Sequence, residues 1–296
     1  MSAPELRTLL AATDLGESGE EVLRAAGALA AASGAALHVL HAFDFSPDPY
    51  PGLAPAPAAS FQGRIREAEL ALDEQVRRAV PAGVEVAGRR VEIDTAARAI
   101  LAYAEGMGVD VVVLGPHRGR GMADAILGST ADRVVRSARV PCLVARGALS
   151  FPLRRVVVPL DLSAPSRAAL DAAFMLCRAF GEGAQVDVVH VIPRIFAGED
   201  FPFSEATVGP ELHREVEAAL GPAADRGGMQ VREVVLWGDS VPDEILRAAR
   251  EWGAGLLVLG TRGRGGLERA LLGSVAGSVA RRAECPVLLV PPDEHA

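Results

Sequence analysis

A phosphate group is the ligand that best fits the stretch Gly260-Thr261-Arg262-Gly263 and its continuation Leu272-Gly273-Ser274. The apolar run Leu256 to Leu259 ahead of it reads as a buried strand, and Ser274 to Arg282 behind it reads as a helix. A strand that opens into glycines and then into a helix start gathers backbone N–H groups and a hydroxyl around one small volume. Gly260 and Gly263 let the main chain approach a ligand where a Cβ would intervene, and Ser274 joins a hydroxyl to the positive end of a helix dipole. No lysine follows the last glycine, so this is not a P-loop, and the glycines are spaced too widely for the dinucleotide fingerprint. Taken alone, the same glycines also serve a tight strand-to-helix connection.

The stretch occurs twice. Gly115 and Gly128-Ser129 precede Gly260 and Gly273-Ser274 by 145 residues, and Pro141 precedes Pro286 by the same interval. Near the start of each half a short apolar strand ends in an aspartate, Asp14 after Leu9 to Thr13 and Asp161 after Val156 to Leu160. A period this long indicates tandem domains, since solenoid repeats run to roughly 20–50 residues. The expected domains are 1–146 and 153–296, joined by a linker, Arg146 to Leu153, that carries Gly147, Ser150 and Pro152.

These residues need elements that place them together, and each half supplies the same series. In the first half the strands are Thr8 to Ala12, Ala36 to Ala42, Val84 to Val91, Val109 to Leu114 and Val140 to Ala145. Its helices run from Ser18, read as the N-cap, to about Ala32, around Ile65 to Val80, over Thr95 to Glu105 and over Ser129 to Ser137. In the second half the strands are Arg155 to Pro159, Gln185 to Ile192, Gln230 to Leu236, Gly255 to Leu259 and Pro286 to Val290. The helices are Pro165 to Phe180, Glu211 to Ala224, Pro242 to Trp252 and Ser274 to Arg282. Proline-rich excursions, Phe43 to Gly63 and Pro193 to Pro210, lie over the carboxyl edge. Strands alternating with helices, with continuously apolar inner strands, predict an α/β fold with parallel sheets covered on both faces. Ligands bind such sheets outside the carboxyl ends of the strands, where strand order reverses.

The remaining composition narrows the function classes. The 296 residues carry a net charge of −8, which argues against nucleic acid and anionic membrane as partners. The three cysteines form no CxxC pair, which fits core thiols in a reducing compartment, and the expected location is the cytoplasm. His38 and His41 point to opposite faces of one strand and cannot share a metal. No Ser/His/Asp set, metal cluster or P-loop lysine can be assembled, so no catalytic residue and no enzyme is expected.

The early Pro159-Leu160-Asp161, the strand ending His190-Val191-Ile192, the glycine pattern and the closing Cys285-Pro286-Val287-Leu288-Leu289-Val290 together resemble the universal stress protein family. The resemblance spans nearly the whole chain as two tandem copies. It implies two Rossmann-like domains of the adenine nucleotide alpha hydrolase type, each an open five-stranded parallel sheet of order 3-2-1-4-5. It further implies ATP with Mg in the second domain and a regulatory role in stress, with slow ATP hydrolysis or a nucleotide-independent scaffold as the alternatives. Residue by residue, Asp161 and the Val191 backbone would hold the adenine edge, Pro159 would shape its pocket and Leu259 would pack nearby. Gly260 would approach the ribose and α-phosphate, Gly263 and Gly273 would cradle phosphates, and Ser274 with the Val275 N–H would close on them. The two copies would pair through their last strands as a dimer-like monomer, with a homodimer of chains also open.

The first copy departs from that pattern. Asp14, Gly115, Gly128 and Ser129 remain, but Arg118 stands in place of Gly263, Ala12 in place of Pro159 and Ala42 in place of Val191. An arginine there costs the close backbone approach and the freedom to take a positive φ, although its guanidinium would offer a phosphate a bidentate grip. The expectation is that this copy has lost ordinary ATP binding and serves as a pairing partner.

Overall fold

A computed structural model describes residues 6–43, 58–116, 127–196, 205–221, 228–263 and 272–292. The first half runs β1 (Thr8–Thr13), α1 (Glu17–Ser33), β2 (Ala36–Ala42), α2 (Ala58–Ala79), β3 (Val86–Glu92), α3 (Ala96–Met107), β4 (Val111–Leu114), α4 (Ser129–Ser137) and β5 (Cys142–Val144). The second repeats it as β6 (Arg155–Pro159), α5 (Ala164–Phe180), β7 (Gln185–Pro193), α6 (Glu205–Leu220), β8 (Gln230–Gly238), α7 (Val241–Trp252), β9 (Leu256–Gly260), α8 (Ser274–Arg282) and β10 (Val287–Val290).

All ten strands form one sheet in the order β3-β2-β1-β4-β5-β10-β9-β6-β7-β8. Within each half the pairing is parallel and follows the order 3-2-1-4-5. At the centre β5 and β10 meet antiparallel, with Val144 opposite Val287 and Leu143 opposite Leu288. The strands near the centre are apolar on both faces because both faces are covered. One core gathers Leu9, Val113, Leu143 and Leu288 beneath α1, α2, α5 and α6, while the other gathers Leu10, Val112, Val144 and Val287 beneath α3, α4, α7 and α8. Each core runs through both halves.

The linker adds a polar tie. Arg146 is buried and donates to the carbonyls of Ala280 (3.2 Å) and Arg281 (2.5 Å) at the end of α8. A cation there satisfies carbonyls that lack intrahelical partners and complements the helix dipole.

Three local expectations are corrected. Helix α1 starts at Glu17 with Gly16 as N-cap, so Ser18 is its second residue. The acceptor comes from Asp14, whose Oδ1 takes the N–H groups of Gly16 and Gly19, both at 2.9 Å. The second excursion is shorter than expected, because α6 begins at Glu205 and holds Pro210 in its second turn. There the missing proline N–H removes a single bond near the helix start. The first excursion shortens likewise, with α2 beginning at Ala58; residues 44–57 and 197–204 lie outside the described residues.

The histidines serve locally, as their opposed facing requires: His38 Nδ1 lies 2.8 Å from the Tyr103 hydroxyl and His41 Nδ1 lies 2.9 Å from the Thr13 carbonyl. Where His38 stands in β2, the second half has Asp187 in β7, which is fully buried. Arg232 Nε (2.7 Å) and Gln185 Nε2 (2.9 Å) donate to its Oδ1, and Arg155 Nε lies 3.2 Å from Oδ2. The Arg232 guanidinium also stacks over the Trp252 ring at 4.3 Å. Paired in this way, a carboxylate is tolerable inside a sheet.

Because both cores cross the β5–β10 junction, the halves are expected to unfold as one unit. Leu143→Ala, which empties a buried site at that seam, should cost about 2–5 kcal/mol. Urea unfolding followed by fluorescence and circular dichroism should then show a single transition shifted to lower denaturant. Two separated transitions in the wild-type chain would contradict the shared core.

Candidate functional site

The second-half crevice is built at the carboxyl ends of β6, β7 and β9. Strand β6 stops pairing at Pro159, opposite Val189, whereas β7 runs on to Pro193, so Val191 borders the space beyond the end of β6. The His190 ring holds that corner, with Nδ1 2.7 Å from the Leu160 carbonyl. The chain then turns sharply. Asp161 Oδ1 accepts the Ser163 N–H (3.0 Å) and the Ser163 hydroxyl (2.5 Å), and Leu162 between them takes φ 65°. Leu15, which follows Asp14, takes φ 62°. A leucine in the left-handed region is strained by about 1–3 kcal/mol, and such strain concentrates where a site must be held in shape.

Gly263 meets this turn. A Cβ built on it would lie 2.5 Å from Asp161 Oδ2. The loop after β9 therefore folds onto the aspartate that ends β6, bringing together two motifs separated by about a hundred residues of sequence. Gly263 does not take a positive φ. Its constraint is space and not a left-handed backbone.

The two glycines that flank the loop have different neighbours. Gly260 is buried at the end of β9, and a Cβ there would lie 2.5 Å from the Pro165 carbonyl oxygen at the start of α5. Its bareness lets a helix pack against a strand end. Gly273 donates its N–H to the Thr261 carbonyl at 2.8 Å, and Thr261 donates to the Val290 carbonyl at 2.8 Å. These bonds close the loop at its base and fasten it to β10. Gly273 is also the N-cap of α8, followed by Ser274, exposed at the first helical position, and Val275, half-buried. Leu259 is buried in the core at the end of β9. Pro159, Asp161, Val191, Gly263, Gly273, Ser274 and Val275 thus fall at one end of the sheet.

The first half reproduces the frame. Gly115 packs against Ser18, with a Cβ 2.6 Å from its Oγ, and Gly128 donates to the Pro116 carbonyl at 3.2 Å. Asp14 and Ser129 both border a cavity of about 220 Å³ over the ends of β1, β2 and β4. Arg118 lies outside the described residues, as does His117. A lock that sequence reasoning missed holds the turn here: the Thr13 hydroxyl donates to Gln75 Oε1 (2.5 Å), and Gln75 Nε2 donates to the Gly16 carbonyl (2.9 Å). The second half has Leu160 where this half has Thr13. A buried polar pair facing each other from β1 and α2 leaves no short-range signal in sequence.

Among the described residues no cluster of His, Cys, Asp or Glu could hold a metal ion. Burial pushes the thiols of Cys142 and Cys177 up to about 12 and that of Cys285 up to about 11, away from the thiolate form. No described helix is long and apolar enough to cross a membrane.

Comparison with known proteins gives a consistent result. The family model described as the universal stress protein family matches residues 5–146 and again 152–291. A universal stress protein of Methanocaldococcus jannaschii is 37% identical over 142 residues, 46% of this chain and 81% of that protein. Another, from Bacillus subtilis, is 31% identical over 153 residues, 46% of this chain and 97% of that protein. Among solved structures, a universal stress protein from Archaeoglobus fulgidus superposes with a TM-score of 0.71 at 19% identity, covering 98% of this chain and 100% of that one.

The packing of the paired glycines predicts effects that need no ligand. Gly260→Ala drives a methyl group into a backbone carbonyl and should cost about 1–3 kcal/mol. Gly115→Ala meets a rotatable serine hydroxyl first and should cost less. Thermal melts of the two variants without nucleotide check the order, and equal or reversed costs would contradict this account.

Proposed function

The chain belongs to the universal stress protein family, and from that premise we propose that it is an ATP-binding regulatory protein of the cytoplasm that holds its nucleotide in the second-half crevice. The observation that carries this reading is the fit of Gly263 against Asp161. A cradle that a single Cβ would fill stands beside a carboxylate at a strand end, and Ser274 starts α8 directly after Gly273, which bonds back to Thr261. This is a suitable meeting of groups for a base with donor hydrogens and a phosphate chain: Asp161 accepts from the base, while main chain and the helix start receive the anion.

ATP fits the residues present. Asp161 and the Val191 backbone would take the adenine, with Pro159 and Leu259 beside it. Gly263, Gly273, Ser274 and the Val275 N–H would take the phosphates. Magnesium would reach the site on the phosphates, as it does where a protein supplies few ligands of its own. The bound nucleotide supplies a charged, bulky group whose presence or absence changes the surface over the carboxyl edge.

We read the protein as a binder that does not turn ATP over. Among the described residues no cluster of His, Cys, Asp or Glu could hold a metal ion, and Cys142 and Cys177 are buried. The nucleotide-independent scaffold is the second reading, favoured by the β5–β10 seam, which joins the two copies into a pseudo-dimer without any ligand.

Calorimetry with ATP and magnesium distinguishes them. The wild-type chain should bind about one equivalent, and ATP should raise its melting temperature with increasing ligand concentration. Gly263→Arg should weaken binding at least about tenfold, ~1.4 kcal/mol, with an unchanged circular dichroism spectrum showing that the variant is folded. Absence of heat in the wild type, or unchanged affinity in the variant, would favour the scaffold.

A further inference from the structure

Helix α8 joins the second-half crevice to the first half of the chain. Its first residue is Ser274, directly after the Gly273 that closes the loop, and its last is Arg282. Because β5 and β10 run antiparallel, the amino end of β10, where α8 ends, lies beside the carboxyl end of β5. There Arg146, two residues past β5, is buried and donates through Nε to the Ala280 carbonyl (3.2 Å) and through Nη2 to the Arg281 carbonyl (2.5 Å). The neighbouring Gly147 takes φ 63° and packs on the same segment, where a Cβ on it would lie 3.3 Å from the Glu284 carbonyl oxygen. The helix that starts at one half's crevice is anchored at its far end by the other half.

The anchor is one-sided. The β5–β10 register is symmetric about the Leu143–Leu288 pair, and this symmetry relates Arg146 to Pro291. Proline brings neither an N–H nor a side-chain donor to the end of α4. The other helix on this face of the second half shows the same bias. Arg155, the first residue of β6, donates through Nη1 to the carbonyl of Trp252, the last residue of α7 (2.6 Å), whereas β1 begins with Thr8. Both α7 and α8 end on a guanidinium.

An arginine on the last carbonyls of a helix offsets the negative end of its dipole and fixes the last turn. The opposite end is left with an unopposed positive pole and a settled set of N–H groups, which is what an anion there requires. The nine residues of α8 span about 13 Å at about 1.5 Å per residue, so Arg146 does not touch a ligand at Ser274 and acts through the helix. We propose that Arg146 of the first half is a positioning residue for the phosphate end of the second-half site, so that this site is built from both halves of the chain. The inference rests on the reading of the second-half crevice as a nucleotide site. The choice of Arg146 rests on its contacts with α8.

The test is calorimetry of the full chain with ATP and magnesium, using wild type, Arg146→Met, Arg146→Gln, Arg146→Lys and Leu143→Ala. Arg146→Met should weaken ATP about threefold or more, with circular dichroism showing a folded chain. Arg146→Gln, which keeps an amide donor for the carbonyls but no charge, should weaken ATP in the same direction and carries the test should Arg146→Met misfold. Arg146→Lys, which keeps the charge, should recover most of the affinity. Leu143→Ala loosens the same seam without touching the α8 carbonyls, so it should lower the denaturant midpoint and leave ATP affinity unchanged. Unchanged affinity in Arg146→Met and Arg146→Gln would overturn the proposal and leave the second-half reading intact. An equal loss in Leu143→Ala, or no recovery in Arg146→Lys, would reduce Arg146 to a structural tie and overturn it too. A wild-type chain that takes no ATP would refute the second-half reading, and this proposal with it.

Discussion

The Asp161 carboxylate and the bare backbone of Gly263 share a space that a single added carbon would overfill. Much of the second half exists to bring them there. The Asp161 turn is pinned by Ser163 and by the left-handed Leu162, and the loop carrying Gly263 is pinned by Thr261 to β10 and by Gly273 back to Thr261. Each pin is a backbone or short side-chain hydrogen bond, so the placement does not depend on long, rotatable side chains. Rigid placement of this kind lowers the ordering cost that a ligand would otherwise meet on binding.

The sheet supplies the rigidity behind the pins. Ten strands joined through β5 and β10 remove two edges that separate halves would expose, and they leave only β3 and β8 at the outside. Both outer strands carry exposed charge, Arg89, Arg90 and Glu92 on β3 and Arg232 and Glu233 on β8. Charge on an outer strand discourages further strand addition. The seam is therefore the favoured pairing surface, and the two crevices stand in a fixed relation set by shared hydrophobic cores.

Much of this was legible in the sequence because it rests on period and punctuation. Alternation of apolar runs with helical patterns gave the succession of strands and helices, the family resemblance implied the strand order, and α4, α8 and β6 begin and end where the pattern places them. What escaped rests on long-range pairing. The Thr13–Gln75 lock joins residues on β1 and α2, and the buried Asp187 is met by arginines that arrive from β6 and β8. The acid in the apolar run Val186-Asp187-Val188 was a visible anomaly, but its partners become neighbours only after folding. The left-handed leucines were invisible for another reason: leucine is a poor residue for that conformation, and only the surrounding hydrogen bonds make it acceptable.

The two halves also show how to separate a glycine kept for the fold from one kept for a ligand. Gly115 and Gly260 stand in both copies, and in both a Cβ would strike the first turn of the helix packed on the strand end. Their presence follows from packing whether or not anything binds. Gly128 and Gly273 cap equivalent helices and close equivalent loops. The position that differs is Gly263, replaced by Arg118, and Gly263 is the one whose bareness faces a carboxylate at the crevice instead of a packed helix. The information about ligand resides in that asymmetry more than in the count of glycines. A half that keeps the framework glycines and loses this one keeps the strand-to-helix packing that those glycines serve.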